Sequence, residues 1–233
     1  MILAIASISM RALQRATRTI PIIFIGVSEP IAQGFVASLA RPGGNITGFT
    51  NLEWTFVTKW LELLREIAPR VTRAGIMFNP DTAPYVASFL RSAEAAAPKL
   101  AIEPFAATVS RPADLEAVII TLAREPATGL ILPPDTFTVT HRKLIVELTV
   151  HYGVPAIYAF RFFPTDGGLI SYGVDQLELL RLAAGYIDCI LKGAKPTDLP
   201  VQQPTKFELV INMKSAKTLG LDEPLQLQQR ATR

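Results

Sequence analysis

The chain has 233 residues, of which 49% are hydrophobic and 18% are charged, and its 23 basic and 20 acidic residues give a net charge of +3. This length and hydrophobic content allow a substantial core, which excludes a disordered or low-complexity protein. The basic residues are dispersed, with the densest run at residues 141–143, and this argues against nucleic-acid binding, which needs a clustered basic face. The single cysteine, Cys189, excludes an intrachain disulfide and a cysteine-based zinc site. No apolar run approaches the roughly 18 residues of a membrane-spanning helix.

The first fifty residues predict two strands, two helices and an irregular segment. The apolar stretch at residues 1–10 lacks a basic leader, so we interpret it as a strand at Ile2–Ile5 and the start of a helix over about 10–17 rather than as an export signal. The continuous apolar run at 21–27 predicts a strand buried on both faces of a parallel sheet, and a helix is predicted over 31–39. Proline and glycines around a short apolar stretch at 45–49 indicate a crossing between two lobes. A tight helix-to-strand loop within one domain is the alternative.

The middle of the chain alternates between strand and helix patterns. Apolar residues at helical spacing, from Trp54 to Ile67, predict an amphipathic helix that Pro69 ends. Both tryptophans are interpreted as packing residues, and Trp54 is the one that is a candidate for lining a cleft. Strands are then predicted at 74–78, 102–105, 130–132 and 156–158, separated by helices at 85–97, 112–124 and 140–152. This rhythm predicts right-handed crossovers and a parallel sheet.

A second glycine-flanked strand at 169–173 mirrors the one at 45–49 and predicts the return crossing. Asp175 and Glu178 predict the start of a long helix that ends at Gly193, with an apolar face formed by Leu177, Leu180, Ala184, Ile187 and Leu191. A third crossing is predicted at 199–203, followed by a strand at 207–211 and a helix at 214–219. The predicted lobes are therefore residues 1–50 with 172–200, and residues 51–171 with 201–233.

Polar residues follow several of the predicted strands, where open parallel sheets bind their ligands. Asp135 can accept a hydrogen bond from a ligand ammonium group, Arg161 can pair with a carboxylate, and Tyr158 or Tyr172 can form an aromatic wall. Helix capping is the alternative role for the short polar residues in this set. The predicted ligand is an amino acid or a related small carboxylate, and the predicted ligand-binding residues are Ser28, Asn79, Asp135, Tyr158, Arg161 and Tyr172.

The sequence contains none of the common catalytic motifs. It has no nucleophile elbow, phosphate-binding loop, dinucleotide fingerprint, H-E-x-x-H or C-x-x-C pattern. His141 and His151 are placed near the two ends of one predicted helix and do not suggest a catalytic pair. We therefore predict no catalytic residue, no metal ligand and no cofactor. An enzyme of the racemase or lyase type acting on a small acid, and a ligand-sensing regulatory domain, remain alternatives because fold does not fix function.

Several motifs resemble one family of transport proteins. Arg-Pro-Gly-Gly-Asn at 41–45, Phe-Asn-Pro-Asp at 78–81, Ser-Tyr-Gly at 171–173 and the run at 190–212 are similar to the tryptophan-binding-protein-like substrate-binding proteins of ABC transporters. The resemblance implies a two-lobed α/β fold of the type I periplasmic-binding class, with parallel sheets flanked by helices. It also implies a periplasmic solute-binding component of an ABC import system, which closes on its ligand by a hinge motion and presents it to a membrane permease.

The chain departs from that family at both ends, so the first lobe is expected to be incomplete. The family's opening strands and export signal are absent, and residues 221–233 do not follow its usual ending. The first lobe collects only the strands at 2–5 and 22–27 and part of a crossing, which leaves Ile2–Ile5 as an exposed edge able to pair with other chains. We therefore expect the chain as expressed to stay in the cytoplasm, to self-associate through this strand, and to bind ligand poorly.

Overall fold

The computed structural model describes residues 1–51, 53–222 and 225–231. It divides into two compact units, the first formed by Met1–Glu53 and Val174–Phe207 and the second by Trp54–Gly173 and Glu208–Arg233. Residues 201–207 therefore belong to the first unit and not, as predicted, to the second. The reason is that the backbone N–H groups of Val201 and Gln202 donate to the carbonyls of Leu39 and Gly48, at 2.7 and 2.9 Å.

The helices and strands alternate along most of the described residues. The strands are β1 (Ile2–Ile5), β2 (Ile22–Val27), β3 (Ile46–Thr50), β4 (Arg73–Phe78), β5 (Glu103–Thr108), β6 (Thr128–Leu132), β7 (Ala156–Tyr158), β8 (Ile170–Val174) and β9 (Phe207–Ile211). The helices are α1 (Ala6–Ala16), α2 (Phe56–Ile67), α3 (Val86–Leu100), α4 (Pro112–Arg124), α5 (Thr136–Thr140), α6 (Arg142–His151), α7 (Phe162–Thr165), α8 (Gln176–Leu191), α9 (Met213–Thr218) and α10 (Leu225–Arg230). None of the helices in the described part of the chain is long and apolar enough to cross a membrane.

The first unit contains a three-stranded parallel sheet in the order β1-β2-β3. One face of this sheet packs on α1 through a cluster of buried apolar residues that includes Ala4, Met10, Phe24 and Ile46. On the other face, Phe49 of β3 contacts Tyr186 of α8, with ring centroids 4.8 Å apart. Helices on both faces explain why β2 is a continuous apolar run, as the sequence predicted.

The second unit contains a six-stranded sheet in the order β5-β4-β6-β7-β8-β9. The pairings of β4 with β5 and β6, of β6 with β7, and of β7 with β8 are parallel, as the alternation of strands and helices predicted. Trp60 of α2 is fully buried, stacks on Phe89 of α3 at 5.8 Å, and donates its indole N–H to the Tyr172 carbonyl at 2.7 Å. Trp60 is therefore a packing residue, as predicted.

The predicted helix over 31–39 is wrong. This segment forms turns in which Gln33 N–H donates to Glu29 O and Phe35 N–H donates to Pro30 O. Gly34 adopts a φ of 72°, in the left-handed region that a regular helix does not tolerate. The turns nevertheless bury Phe35 and Val36.

The predicted apolar face of α8 is also wrong. The helix buries Leu179 and Ala183, while Leu177, Leu180 and Leu191 are 58%, 44% and 73% exposed. Leucines and isoleucines occupy more than one side of this helix, so the sequence did not specify which side contacts the sheet. The start of the helix is as predicted, since the Asp175 carboxylate accepts from Leu177 N–H and Glu178 N–H.

Glycine allows close backbone contact at both of the short strands that were predicted from the sequence to cross between two lobes. A Cβ atom on Gly48 of β3 would lie 2.1 Å from the carbonyl oxygen of Phe24. A Cβ atom on Gly173 of β8 would lie 1.8 Å from the carbonyl oxygen of Ala159. Both distances are far below any real Cβ contact, so only glycine fits either backbone approach.

Helix α10 was not predicted. It lies in the segment after Gly220, which lacked a recognisable pattern, and it packs against the second unit through Leu227, which is fully buried. The Arg230 guanidinium also pairs with the Glu66 carboxylate of α2 at 3.1 Å.

Candidate functional site

Asp135 connects two loops at the carboxyl edge of the second unit's sheet. One carboxylate oxygen accepts from the backbone N–H of Asn79, which follows β4, at 2.9 Å. The other accepts from the Thr82 hydroxyl and from Phe137 N–H, the latter at 3.0 Å. The side chain is also the N-cap of α5, and the residue is only 2% exposed. Three internal donors therefore already use this carboxylate, and its structural role is to fix the loops after β4 and β6.

Asn79 extends the same network. Its side-chain oxygen accepts from Asp81 N–H at 2.9 Å, and its side-chain amide donates to the Ser110 carbonyl at 3.3 Å. Nearby, the Tyr85 hydroxyl donates to the Pro134 carbonyl at 2.7 Å. The structure thus brings the predicted residues Asn79 and Asp135 together, in a hydrogen-bonded rim around the strand ends.

Tyr158 lies in the core and not on a ligand surface as predicted. It belongs to β7, a strand with neighbours on both sides, and it is completely buried. Its ring stacks on Phe163 with centroids 4.5 Å apart, and its hydroxyl is hydrogen-bonded to the Thr149 hydroxyl at 3.1 Å. Burial raises the pKa of the Tyr158 hydroxyl, which therefore stays neutral.

Arg161 follows β7 and pairs with Glu208 of β9. The guanidinium and the carboxylate are 2.9 Å apart, with the arginine side chain 52% exposed and the glutamate side chain 8% exposed. A guanidinium has five N–H donors in a planar fork, so the exposed part of this side chain can bind a second carboxylate. Arg161 is therefore a half-exposed cation at the sheet edge whose position is fixed by a buried acid.

Aromatic side chains form a group at the start of α2 and on β8. The Tyr172 ring stacks on Phe56 with centroids 6.0 Å apart and an interplanar angle of 26°. Trp54, in the turn before α2, is 43% exposed. We name Trp54, Phe56 and Tyr172 the aromatic group. Sequence reasoning selected Tyr172 and considered Trp54 but missed Phe56, because an aromatic residue at the start of an amphipathic helix reads as core.

Ser28 is the predicted site residue that belongs to the first unit. It follows β2, it is 1% exposed, and its hydroxyl oxygen has no hydrogen-bond partner among the described residues. Gln33 donates to the Ser28 carbonyl and, at 2.9 Å, to the Ser7 hydroxyl, which links the ends of β1 and β2. Buried hydroxyls normally have a partner, so Ser28 is distinctive among the polar residues at this edge.

The described residues include no group of three or more histidine, cysteine, aspartate or glutamate side chains arranged to hold a metal ion. His141 lies against the ring of Phe137, and His151 against that of Tyr152, each at 4.7 Å between centroids. The second unit thus carries a hydrogen-bonded polar rim, a half-exposed arginine and an aromatic group.

Comparison with known proteins identifies the family. The model of the ABC transporter substrate-binding proteins matches residues 1–233. The chain belongs to this family. It is 27% identical over 225 residues to a tyrosine-binding protein from Clostridioides difficile strain R20291, a match that covers 96% of this chain. The chain spans 64% of the length of that curated relative.

Solved structures of similar proteins share the fold of this ABC transporter substrate-binding family member. A conserved domain protein from Vibrio cholerae superimposes with a TM-score of 0.90 at 29% identity, over 99% of this chain and 77% of that one. An ABC domain from Streptococcus pneumoniae in complex with L-tryptophan gives a TM-score of 0.88 at 25% identity, over 98% and 76% of the two chains. The predicted α/β fold with parallel sheets flanked by helices is confirmed.

Proposed function

We propose that this protein is the solute-binding component of an ABC import system and that its ligand is an amino acid. The observation that carries the proposal is the family match over residues 1–233. The relatives add support, since one is described as a tyrosine-binding protein and another was solved with L-tryptophan.

An aromatic amino acid fits the second unit's sheet edge best. The aromatic group offers the face of Tyr172 and the half-exposed Trp54 to a planar side chain. Arg161 supplies a cation for the ligand carboxylate, and Glu208 holds that cation in place. In this proposal Asn79 and Asp135 position the loops, and Tyr158 makes no ligand contact.

The partner implied by this function is a membrane permease of the ABC type, to which the loaded binding protein delivers its ligand. The protein would then work outside the cytoplasmic membrane, as binding components of import systems do. Both the permease partner and this location are inferred from the family to which residues 1–233 belong.

Ligand-dependent stabilisation tests the proposal directly. L-tryptophan and L-tyrosine are expected to raise the melting temperature, because a ligand at 100 times its Kd adds about 2.7 kcal/mol to the free energy of unfolding. D-tryptophan and L-leucine serve as comparisons for stereochemistry and for the aromatic ring. The proposed function would be rejected if a screen of all common L-amino acids and small carboxylates produced no concentration-dependent shift.

Two substitutions then test the ligand surface with the ligand that the screen identifies. We expect Tyr172→Ala and Arg161→Ala each to weaken binding at least about tenfold, equivalent to about 1.4 kcal/mol, through the lost ring face and the lost cation. Tyr152→Ala is the matched control, since this tyrosine bonds to Glu116 on the exposed surface of the same unit. Calorimetric titration measures the three affinities. Binding by both site variants within twofold of the original chain would disprove the surface while leaving the family function intact.

A further inference from the structure

The ammonium group of an amino acid ligand has no assigned partner on the proposed ligand surface. Arg161 supplies a cation for the ligand carboxylate, and Tyr172 supplies a ring face. The sequence-predicted acceptor for the ammonium group, Asp135, already accepts from three internal donors and is only 2% exposed. An acid other than Asp135 is therefore needed to favour a ligand that carries an ammonium group, and Glu208 lies beside Arg161.

Glu208 belongs to β9, which runs antiparallel to β8. Two backbone hydrogen bonds tie the ends of these strands together, from Asn212 N–H to the Leu169 carbonyl at 2.9 Å and from Asp175 N–H to the Lys206 carbonyl at 3.2 Å. Both bonds give the same register, in which Glu208 lies opposite Gly173. Residues that lie opposite each other in a sheet point to the same face, so the Glu208 side chain shares the face of Gly173.

The chain crosses this face directly after β7. The backbone of Ala159 lies so close to Gly173 that a Cβ atom there would be 1.8 Å from the Ala159 carbonyl oxygen. Arg161 follows Ala159 in the chain and reaches the Glu208 carboxylate at 2.9 Å, although β8 separates β7 from β9 in the sheet. The absence of a side chain at Gly173 thus lets Arg161 and Glu208 meet across β8.

The charge on Glu208 affects a ligand carboxylate and a ligand ammonium group in opposite ways. A carboxylate bound to the exposed side of Arg161 would be repelled by Glu208, because the glutamate charge already neutralises the guanidinium. In an α-amino acid the ammonium group is attached to the carbon next to the carboxylate, so it would lie within about 8 Å of Glu208, where salt screens the attraction only in part. The attraction of the ammonium group therefore offsets the repulsion of the carboxylate.

The other charged residues at this edge do not offset the charge of Glu208. Within three residues of the ends of the parallel strands, the part of the second unit that the structure describes holds one other arginine, Arg111, and no lysine. Arg111 pairs with Asp114 at 2.9 Å. The loop after β4 adds the exposed Asp81. The charges along this edge therefore favour a ligand that carries a positive group.

We propose that Glu208 is a specificity-determining residue, which makes the surface select α-amino acids against the same acids without an amino group. The inference rests on the proposed function, because it requires Arg161 to bind the ligand carboxylate. Glu208 acts on the ligand through its charge and through Arg161, whose position it fixes.

Pairs of compounds that differ in the ammonium group test this selection. Calorimetric titration compares L-tryptophan with indole-3-propionate and L-tyrosine with 3-(4-hydroxyphenyl)propionate. We expect the original chain to bind each amino acid at least about tenfold more tightly than its des-amino counterpart, which corresponds to about 1.4 kcal/mol. Equal affinities within each pair would overturn the inference without the use of any variant, while the binding of either amino acid would leave the proposed function intact.

Glu208→Gln removes the charge and keeps both the size of the side chain and an oxygen that can accept from Arg161. We expect this variant to bind the des-amino acids more tightly than the original chain does, because the repulsion of their carboxylate is gone. We also expect its preference for the amino acids to be reduced at least about fivefold. A purely structural role of Glu208 would instead weaken both members of a pair alike, and that result would overturn the inference.

Glu125→Gln is the matched control. Glu125 also pairs with an arginine, Arg73, at 3.0 Å, but Arg73 begins β4 and so lies at the opposite edge of the sheet. This variant should bind all four compounds as the original chain does, and circular dichroism establishes that both variants are folded. An equal loss of preference in the two variants would assign the effect to the net charge of the unit and overturn the role of Glu208. Should none of the four compounds bind the original chain, the aromatic ligand of the proposed function fails and this inference fails with it.

Discussion

Gly173→Ala is expected to lower the free energy of unfolding by at least about 3 kcal/mol, near the upper limit of what overpacking usually costs. The new methyl group would lie 1.8 Å from the carbonyl oxygen of Ala159, and because the three nearest atoms all belong to the Ala159 backbone, there is no flexible side chain that could move aside. The pairing of β8 with β7 would have to separate locally to accommodate it. Urea unfolding followed by far-ultraviolet circular dichroism measures the change.

Gly185→Ala is the opposite case and the control. Gly185 lies inside α8, and a Cβ atom there would meet nothing within 4 Å. Alanine is favoured over glycine within a helix by about 1 kcal/mol, so this variant is expected to be more stable than the original chain. Opposite signs for the two glycine variants are the predicted result, and a Gly173→Ala variant as stable as the original would show that the close approach of β8 to Ala159 is not present in solution.

Asp135→Ala is expected to destabilise the second unit by about 2–5 kcal/mol. The substitution leaves Asn79 N–H, Phe137 N–H and the Thr82 hydroxyl without their acceptor, and each buried unsatisfied group costs about 1–3 kcal/mol unless water reaches it. Both tryptophans belong to the second unit, so their fluorescence during urea unfolding reports on that unit.

Asp81→Ala removes a carboxylate from the same loop and is the control for this prediction. The Asp81 side chain is exposed, and its backbone N–H, which the substitution keeps, makes the bond to Asn79. Its effect is expected to stay within about 0.5 kcal/mol. If Asp81→Ala and Asp135→Ala proved equally harmful, the effect would come from the loss of negative charge in the loop rather than from the loss of a buried acceptor.

The parallel sheets were predictable because most of their strands are short apolar runs that alternate with helical patterns at regular spacing. The run that forms β2 is buried on both faces, and α2 has a single apolar stripe that contains Trp60. In both cases the local pattern is compatible with only one way of burying the element. Helix α8 has apolar residues on several sides, and only the positions of β2 and β3 decide that Leu179 and Ala183 face inward. A stripe in the sequence specifies that a face is apolar, and tertiary structure decides what covers it.

At the candidate site, too, the local pattern predicted some features and tertiary structure decided the others. The convergence of Asn79 and Asp135 followed from the rule that parallel strands end at one edge, and residue type alone suggested that they would be hydrogen-bonded. Two of the three donors to Asp135 were not predictable, because Asn79 N–H and the Thr82 hydroxyl belong to a different loop more than fifty positions away. Tyr158 was assigned to the surface because it ends a short strand, but β6 and β8 on either side enclose it.

The closure of the β3 edge has a consequence for how the protein folds during synthesis. The Thr47 hydroxyl donates to the Leu199 carbonyl at 2.6 Å, and Thr50 bonds to Gln202, in both cases across 152 positions of sequence. At about 5–20 residues per second, a ribosome needs about 8–30 s to add those positions. For that interval the β3 edge of the first sheet lacks its partner segment, while residues 54–173, which form most of the second unit, are contiguous and emerge together. We therefore expect the β3 edge to be accessible to chaperones between the emergence of β3 and that of Gln202.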